Sequence, residues 1–357
     1  SSGRHRLLPS SPPRRSSDLR YLARMVRFGL EHIVEAGDPR LPVFFPSLCE
    51  VQKSGWDNPD NHHTNAYING NLEYRIWGRR GDNHYMSFAV YGGSLGRAGG
   101  RRTIAYVKMD DLEVDENGRF EIVMSREKKP GNWIPLEEDA TTLMVRETFS
   151  RKLEQERSIL NIECLSADEP PQLTADFIVN AFRRSIRFMR GSSKSFFDIV
   201  DKWVPEPNVF QEGNREQAAS TLGIPDQLYN SGWWEVDADE ALVLDLDPPE
   251  CRYWSLALCD YWGASFDYRY WNINVNNDTA CVRADGKVRI IIAHKNPGLA
   301  ETNWLDTAGH DRGFWPLCWA GAESDTRPEV RRVPFDSPRS PECSSDLARS
   351  SDLVPHW

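Results

Sequence analysis

The stretch LEYRIWGRRGDNHYMSFAVYGG, residues 72–93, decides the fold class. It holds two short runs rich in aromatic and β-branched residues, and the turn-forming Arg80-Gly81-Asp82-Asn83 separates them. Strands this close in sequence are typically antiparallel, because a parallel crossover needs a dozen or more residues. The stretch therefore predicts an antiparallel β protein.

The same pattern extends over the neighbouring sequence. Short β-rich runs separated by Gly, Asn and Asp recur at NAYING (65–70), RTIAYVKM (102–109), RFEIVMS (119–125), LMVRETF (143–149) and LNIEC (160–164). Together they predict a first β domain over residues 56–166.

Helical periodicity precedes the first β domain. In the run YLARMVRFGLEHIV, residues 21–34, apolar side chains recur at helical spacing, which predicts a helix that packs on the protein through one face. This helix belongs to a predicted helix-and-linker segment over residues 20–55. The apolar positions of the predicted packing face are Leu22, Met25, Val26, Leu30 and Ile33.

A helical segment is also predicted over residues 167–227. Thr174 is a good N-cap, an apolar stripe follows it, and Gly191 is expected to end the helix. Two shorter helices are expected at 194–203 and 214–222.

β-rich runs return afterwards and predict a second β domain over residues 228–336. In ACVRADGKVRIIIAH (280–294), Asp285-Gly286 lies between two apolar runs, which is the strongest hairpin pattern in the chain. The other runs are GWWEV (232–236), ALVLDLD (241–247), YWSLALCD (253–260), FWPLCWAG (314–321) and EVRRV (329–333). No βαβ alternation appears. The predicted fold class is mainly β with a helical insert: two antiparallel β-sandwich/jelly-roll-like domains linked by an α-helical segment.

The chain ends carry a repeated pentapeptide without apolar periodicity. Arg-Ser-Ser-Asp-Leu occurs at 15–19 and again at 349–353, and it matches the translation of a common sequencing adapter in one reading frame. We therefore expect residues 1–19 and 337–357 to be assembly artefacts or disordered tails.

The overall charge limits the partners that we expect. The 357-residue chain has 43 basic and 53 acidic residues, a net charge of −10, which repels nucleic acid and offers no general basic surface for anionic lipid. No apolar run approaches the roughly 18–20 residues that a membrane-spanning helix needs. We expect no nucleic-acid or membrane partner, a cytoplasmic location, and a small-molecule ligand with self-association as a further option.

Sequence motifs for cofactors and metals are missing. The seven cysteines show no C-x-x-C spacing, and the histidines show neither H-x-H nor H-E-x-x-H. The glycines of GGSLGRAGG (92–100) lack the strand-to-helix context of a nucleotide site and predict a flexible hairpin loop, with a lid at the sheet edge as the alternative. We predict no cofactor and no metal site.

The first of two polar clusters is GWDNPDNHHTNAY, residues 55–67. The side-chain oxygens of Asp57, Asn58, Asp60 and Asn61 can be ligands for a hydroxylated substrate or a hard cation, and His63 is a further ligand-binding candidate. The alternative is a series of Asx turns in which these side chains satisfy their own backbone. His62 and His63 precede a strand, so at most one of them faces its core side.

The second cluster is HKNPGLAETNWLDTAGHDRGFW, residues 294–315, predicted as a connection of about twenty residues between strands. Asp306 lies four residues before His310 and can orient its imidazole as a general base. In the alternative, these polar residues cap turns and the tryptophan plugs the sheet. The ligand-binding candidates here are His294, Asn303 and Trp304.

An aromatic string, YWGASFDYRYW at 261–271, is either core or the wall of a ligand cleft. As a wall, Trp262 and Tyr268 would stack against a flat ligand, and Arg269 would bind a carboxylate or sulfate.

Four blocks in this order resemble the domain of unknown function 1214 family, which is common in actinobacteria and proteobacteria. The resemblance covers about residues 40–335 and implies two β-sandwich or jelly-roll modules, but no established reaction. The blocks are DNPDNHHTNAYINGNLEYRIWGRRGDNHYMSFAVYGG, GNWIPLEEDATTLMVRETF, PPECRYWSLALCDYWGASFDYR and AHKNPGLAETNWLDTAGHDRG.

Three functions are compatible with these patterns. The leading hypothesis is binding or turnover, as one joint class, of a small organic ligand such as a carbohydrate, a lipid or sterol, or an aryl acid, in a polar and aromatic cleft between the two β domains. The alternatives are a non-catalytic carbohydrate-binding module and a structural or oligomer-forming protein.

Overall fold

The computed structural model describes residues 12–93, 101–166, 172–212, 223–324 and 326–337. Outside the described residues lie the tail residues 1–11 and 338–357, most of the predicted glycine-rich loop (94–100), and the helix expected at 214–222.

The first half of the chain forms a sandwich of two sheets. The first large sheet has the strand order β1-β2-β8-β4-β5 and the first small sheet has the order β7-β6-β3-β9. The nine strands are β1 (Phe45–Leu48), β2 (Asn61–Tyr67), β3 (Tyr74–Arg79), β4 (Tyr85–Gly93), β5 (Arg101–Lys108), β6 (Arg119–Ser125), β7 (Trp133–Pro135), β8 (Ala140–Thr148) and β9 (Ile159–Cys164).

The second half forms another sandwich of the same kind. The second large sheet has the order β10-β11-β17-β13-β14 and the second small sheet has the order β16-β15-β12-β18. Its strands are β10 (Val209–Phe210), β11 (Gln227–Glu235), β12 (Glu240–Leu246), β13 (Tyr253–Ala257), β14 (Asn274–Asn276), β15 (Val288–Ala293), β16 (Asn303–Asp306), β17 (Arg312–Ala320) and β18 (Glu329–Pro334). The prediction of a mainly β fold with two sandwich-like domains is therefore confirmed.

The two sandwiches match strand for strand. Each strand from β1 to β9 has the same neighbours as the strand nine places later in the chain. The match includes the exceptional parallel pairs, β6 with β7 and β15 with β16, whereas the other strand pairs are antiparallel.

Apolar side chains fill the space between the two sheets of each sandwich. In β4, Met86, Phe88 and Val90 point into the first core, because alternate residues of a strand face opposite sides. Tyr85 and Ser87, which alternate with them, are also buried but lie on the outward face of the large sheet. This outward face must therefore be covered by something else.

The outward faces of the two large sheets cover each other in part. Arg146 of β8 donates a hydrogen bond to the hydroxyl of Tyr229 of β11 at 3.1 Å. The rings of Tyr85 and Tyr253 lie 6.2 Å apart, and these two residues begin the matching strands β4 and β13. The contact between the sandwiches is thus polar and aromatic, unlike the cores.

Two helices pack beside this contact. The first, α1 (Pro12–Phe28), continues as a π-helical segment (Gly29–Glu35), and the second is α2 (Ala175–Trp203). The prediction that Gly191 ends a helix is wrong, since α2 runs through it and absorbs the helix expected at 194–203. Among the described residues, no helix is both long and apolar enough to cross a bilayer.

The predicted packing face of the first helix is only partly buried. Met25 and Ile33 are buried, but Leu22, Val26 and Leu30 are exposed. Periodicity locates an apolar face on a helix but does not say which part of it meets the protein.

Two further predictions in the second domain need correction. The twenty-residue connection contains a strand, β16, which is parallel to β15, and a four-residue strand is too short to show periodicity. The turn at Asp285-Gly286 forms, with a 2.9 Å bond from the Arg283 amide to the Lys287 carbonyl. The stretch before the turn, 280–283, is irregular and not a strand.

Candidate functional site

The polar contact between the sandwiches centres on a buried carboxylate. Asp60 Oδ2 accepts hydrogen bonds from the hydroxyl of Tyr253 at 2.7 Å and from Asn276 Nδ2 at 2.9 Å, and Oδ1 accepts one from Asn274 Nδ2 at 3.0 Å. Burial raises the pKa of Asp60, and the hydrogen bonds from Tyr253 and Asn276 oppose this shift. A residue before β2 is thereby fixed to two strands of the second sandwich.

Asn58 extends the same contact. Its side-chain nitrogen lies 3.0 Å from the hydroxyl of Tyr253 and 2.8 Å from that of Ser255. Its side-chain oxygen accepts a bond from the Asp60 amide at 2.9 Å, which is an Asx turn. Asn58 therefore combines the Asx turn that was the alternative reading with a contact across the two sandwiches.

A buried lysine joins the two sandwiches a few residues earlier. Lys53 is almost fully buried, and its ammonium donates to the Phe266 carbonyl at 2.6 Å and to the Ser265 hydroxyl at 3.1 Å. The ammonium also lies 4.1 Å from the centre of the Tyr268 ring. Burial lowers the pKa of Lys53 to about 8, although the negative charge of Asp57 opposes the shift.

Asn61 and Tyr268 meet through a second lysine. Lys152 donates to the Asn61 carbonyl at 2.7 Å and to the hydroxyl of Tyr268 at 3.1 Å, and it forms an ion pair with Glu50 at 3.3 Å. The structure thus brings together part of the first polar cluster and part of the aromatic string.

Deeper between the large sheets, three neighbouring strands place His63, Arg146 and Ser87 side by side. The register pairs His63 of β2 with Arg146 of β8, and Arg146 with Ser87 of β4. Arg146 Nη1 reaches across to the second large sheet, where it donates to Gln227 Oε1 at 3.2 Å and to the Tyr229 hydroxyl at 3.1 Å. A guanidinium stays charged at this depth, because its intrinsic pKa is too high for burial to neutralise it.

His63 is buried without satisfying its polar atoms. It is 4 % exposed, and neither Nδ1 nor Nε2 has a hydrogen-bond partner among the described residues. Burial, together with the positive charge of Arg146, lowers the pKa of His63 well below its usual value, so the ring is neutral. A neutral imidazole carries one donor and one acceptor, and here both lie unpartnered beside a cation.

The second polar cluster is bonded within the second sandwich. Asn303 holds β16 to the preceding chain by accepting from the Cys281 amide at 2.7 Å and donating to the Arg289 carbonyl at 3.0 Å. Trp304 donates from its indole to the Ala293 carbonyl at 3.0 Å.

The side chains of Asp306 and His310 form no hydrogen bond or ion pair with each other. The Asp306 carboxylate accepts from the Ala308 amide at 2.8 Å, and the His310 ring stacks on Phe266 with 4.5 Å between centroids. Burial lowers the pKa of His310 to about 4, although the charge of Asp311 opposes the shift. A base with this pKa is neutral at pH 7 but a weak proton acceptor. The catalytic roles of Asp306 and His310 stay a prediction.

Other predicted ligand-binding residues have protein partners. His294 Nδ1 lies 2.9 Å from the Thr307 hydroxyl. Trp262 stacks on Tyr21 of α1 at 4.3 Å, which covers one face of its ring. Arg269 forms an ion pair with Asp267 at 2.7 Å, near the surface.

The structure therefore groups Asn58, Asp60, Asn61 and Tyr268 along the contact between the sandwiches, and His63 deeper in it. The second cluster meets the first at its aromatic end, where the ring centroid of Phe314 lies 5.7 Å from that of Trp56. Asn272, beyond the aromatic string, also accepts from the Asp306 amide at 2.7 Å. Sequence reasoning missed several polar residues at the contact. These are Lys53, Arg146, Lys152, Gln227 and Tyr229.

One sequence pattern could have pointed to Arg146. It interrupts the apolar run LMVRETF, and a charge in the middle of a buried strand needs a partner or a role. As for metals, no group of three or more His, Cys, Asp or Glu side chains in the described part of the chain is arranged to hold an ion.

Comparisons with known proteins agree with this architecture. A family model described as a protein of unknown function (DUF1214) matches residues 59–148 and 234–318, which include most strands of both large sheets. A comparison with curated proteins found no match.

Two solved structures are similar over most of their length. An uncharacterised protein from Burkholderia cenocepacia is 36 % identical, with 92 % of each chain covered and a TM-score of 0.88. A protein from Vibrio parahaemolyticus shares the fold at 13 % identity, with 88 % of this chain and 96 % of that chain covered and a TM-score of 0.50. By its family match and by its similarity to the Burkholderia protein, the chain belongs to the DUF1214 family of proteins of unknown function.

Proposed function

We propose that this protein binds a small organic acid between its two large sheets, at a site formed by His63 and Arg146. The observation that carries the proposal is the buried imidazole of His63, whose two ring nitrogens have no hydrogen-bond partner among the described residues. Each buried polar atom left unpartnered costs about 1–3 kcal/mol. A ligand that both donates to and accepts from His63 removes this cost, so the free energy of binding includes it.

Arg146 favours an acid over the other ligand classes expected from the sequence. Its guanidinium is buried and charged, and two of its hydrogen bonds, those to Gln227 and Tyr229, go to neutral oxygens. A carboxylate matches the planar geometry of a guanidinium and gains a charge-assisted hydrogen bond of greater strength than a neutral one. Carbohydrates and sterols offer no negative charge for this position.

The surroundings of Arg146 also suit an aromatic ring in the acid. Tyr229, Tyr85 and Tyr253 form one cluster at the contact, together with Cys318 and Ala320. Aromatic rings pack favourably in such a setting, by edge-to-face or offset stacking. An aryl carboxylic acid is therefore the ligand class that these side chains fit best.

The test is a thermal-shift titration with a set of aryl carboxylic acids, each paired with its neutral methyl ester. We expect an acid of the set to stabilise the wild-type protein, by about 2.7 kcal/mol at 100 times its Kd, while the ester has little effect. The His63→Leu variant should lose this stabilisation.

A matched control keeps the outcome clear. His62 adjoins His63 on β2 but points to the other face of the sheet, where Arg157 Nη1 lies 3.2 Å from its Nε2. A folded His62→Leu variant should still bind the acid. Equal shifts with acids and esters, no shift with any acid, or an unchanged shift in His63→Leu would each refute the proposed site.

A further inference from the structure

Counted from residue 20 and among the described side chains, the outer face of the two helices carries six exposed large apolar side chains. On the first helix, Leu22, Val26 and Leu30 recur every four residues and are each about half exposed. On α2, Val179, Phe182 and Ile186 recur at the spacing of three and four residues and are exposed to a similar degree. We call these six residues the helix-pair face.

The two helices are antiparallel neighbours. The hydroxyls of Tyr21 and Ser193 lie 2.9 Å apart, and Ser185 Oγ donates to the Gly29 carbonyl at 2.8 Å. Residue numbers therefore rise along the first helix in the direction in which they fall along α2. The helices approach so closely at Gly29 that an added Cβ would lie 3.1 Å from the Ser185 Cβ.

The two apolar stripes lie on one side of the pair. Successive residues of a helix are 100° apart around its axis. On each helix, the apolar stripe lies about 100° from the residues that touch the other helix, counted in the direction of increasing residue number. Because the two helices are antiparallel, equal rotations in this direction place both stripes on the same side of the pair. The side chains therefore form one contiguous surface, and such surfaces mark interaction sites.

Arginines border this face. Arg183 and Arg190 of α2 are exposed and lie within about one eighth of a turn of Val179 on the helical wheel. Arg187 lies further round on the same side. On the first helix Arg20 is exposed, whereas Arg27 forms an ion pair with Glu31 at 2.7 Å. The face thus combines an apolar centre with a basic edge.

The helices are basic in an acidic protein. Residues 20–35 hold three basic and two acidic residues, and α2 holds six basic and three acidic residues, whereas the whole chain holds 43 basic and 53 acidic residues. The expectation of no anionic lipid partner rests on the net charge of the whole chain, −10. That sum does not show that the helices are basic while the rest of the chain is acidic. These counts begin at residue 20, so they do not depend on the predicted artefact.

A second copy of this chain fits the face poorly. A symmetric contact through the helix-pair face would bring its arginines close to the same arginines of the partner, and like charges placed together at an interface are unfavourable. A better partner is a surface with an apolar interior for the six apolar side chains and negative charges at its boundary for the arginines.

We propose that the helix-pair face docks on the surface of an anionic phospholipid bilayer. The apolar side chains enter the headgroup layer and the arginines contact lipid phosphates, as in helices that lie in the membrane interface without crossing it. This inference does not depend on the proposed ligand site.

The test is flotation of the full chain with phosphatidylcholine vesicles, with and without phosphatidylglycerol. We expect binding only to the anionic vesicles and its loss in high salt. Each arginine near such a surface contributes about 1 kcal/mol, so the Arg183→Gln/Arg187→Gln double variant should bind about 30-fold more weakly. The Val26→Ser/Ile186→Ser variant tests the apolar part and should also lose binding.

Control changes lie on exposed residues of the sandwiches. Arg119→Gln on β6 and Val282→Ser before β15 should leave vesicle binding unchanged. Absence of flotation with the anionic vesicles, or equal losses in the control variants, would overturn the proposal. So would a dimer in light scattering that Val26→Ser/Ile186→Ser dissociates, because the face would then pair with a second copy.

Discussion

Two adjacent histidines on β2 illustrate how much a residue's face matters. His62 and His63 are both buried, and both have lowered pKa values, chiefly because of burial. His62 has Arg157 as a hydrogen-bond partner, while His63 has no partner among the described residues. The alternation of a strand predicts their opposite faces, but not which face would leave an imidazole unsatisfied.

The first prediction concerns the stability effect of His63. Replacing it with leucine removes two unpartnered polar atoms at similar volume, so we expect the ligand-free protein to gain about 1–2 kcal/mol in free energy of unfolding. Urea denaturation of wild type and variant measures the difference. Stabilisation by removal of a buried polar side chain is typical of a group kept for function.

The His62→Leu variant provides the opposite expectation. It leaves the guanidinium of Arg157 without the imidazole acceptor, so its free energy of unfolding should fall. A destabilised His63→Leu protein would indicate that His63 has a structural role.

The second prediction concerns the pH dependence of stability at His310. Burial lowers its folded-state pKa to about 4, below the value of about 6.5 in an unfolded chain, so between these values the unfolded state binds more protons. Stability is therefore lost as the pH falls from 6.5 to 4. Relative to His310→Phe, which keeps the stack on Phe266, the wild type should lose up to about 3 kcal/mol over this range.

Urea denaturation of both proteins at pH 7 and pH 4.5 checks this expectation. Because only the difference between the two proteins is used, the contribution of other buried titrating groups, such as Asp60, cancels. A pH-independent difference would show that His310 titrates normally in the folded protein.

At the scale of elements, the strand β16 depends on one side chain. Asn303 bonds to the Cys281 amide, the Cys281 carbonyl and the Arg289 carbonyl, and so holds the short parallel strand at the edge of its sheet. A four-residue strand at an edge has few other contacts that fix its position.

The third prediction is that Asn303→Ala lowers the free energy of unfolding by about 2–3 kcal/mol, because three hydrogen bonds are lost together. Asp306→Ala, which loses the single Asx-turn bond to Ala308, should cost about 1 kcal/mol. Chemical denaturation measures both. If Asn303→Ala is as stable as wild type, the residue is free for a binding role, as its sequence context predicts.

Most strands could be predicted because their alternation is long enough to read. The runs that become β3, β4, β6, β8 and β17 are recognisable in this way. The strand β16 and the irregular stretch 280–283 were predicted wrongly, because the first is too short to show a period and the second alternates without a partner. Whether a segment pairs as a strand depends on the neighbouring strands of the sheet and cannot be predicted from the segment alone.

At the scale of the whole molecule, Asp60 fixes the two sandwiches to each other. The fourth prediction is that Asp60→Ala costs at least about 3 kcal/mol, since it leaves Tyr253 and Asn274 without their acceptor and removes one of two for Asn276. With the contact weakened, we expect thermal unfolding to separate into two calorimetric transitions, one for each sandwich.

Asp278→Ala serves as the control, because this aspartate lies in the turn that follows β14 and is exposed. It should unfold like the wild type. A single unshifted transition in Asp60→Ala would show that other contacts, such as those of Lys53, are sufficient to hold the sandwiches together.

The candidate site could be predicted only in part. The Asn and Asp residues before β2 stand out because their polarity is concentrated in a short stretch, and the structure places Asn58 and Asp60 at the contact between the sandwiches. Arg146 and Tyr229 are 83 residues apart in the chain and become neighbours only through the packing of two sheets. A pattern within one segment cannot reveal such a pair.

The matching topology of the two sandwiches, which meet where Tyr85 faces Tyr253, gives one chain the interface of a symmetric dimer. In a true dimer every substitution occurs twice, so a buried cation would have to appear in both halves. Covalent linkage removes this restriction: Arg146 occupies a position whose counterpart on β17 is the uncharged Cys318. The linkage also makes formation of the contact independent of protein concentration, because the two sandwiches cannot diffuse apart. An asymmetric, charged interior is therefore retained at concentrations at which two separate subunits would dissociate.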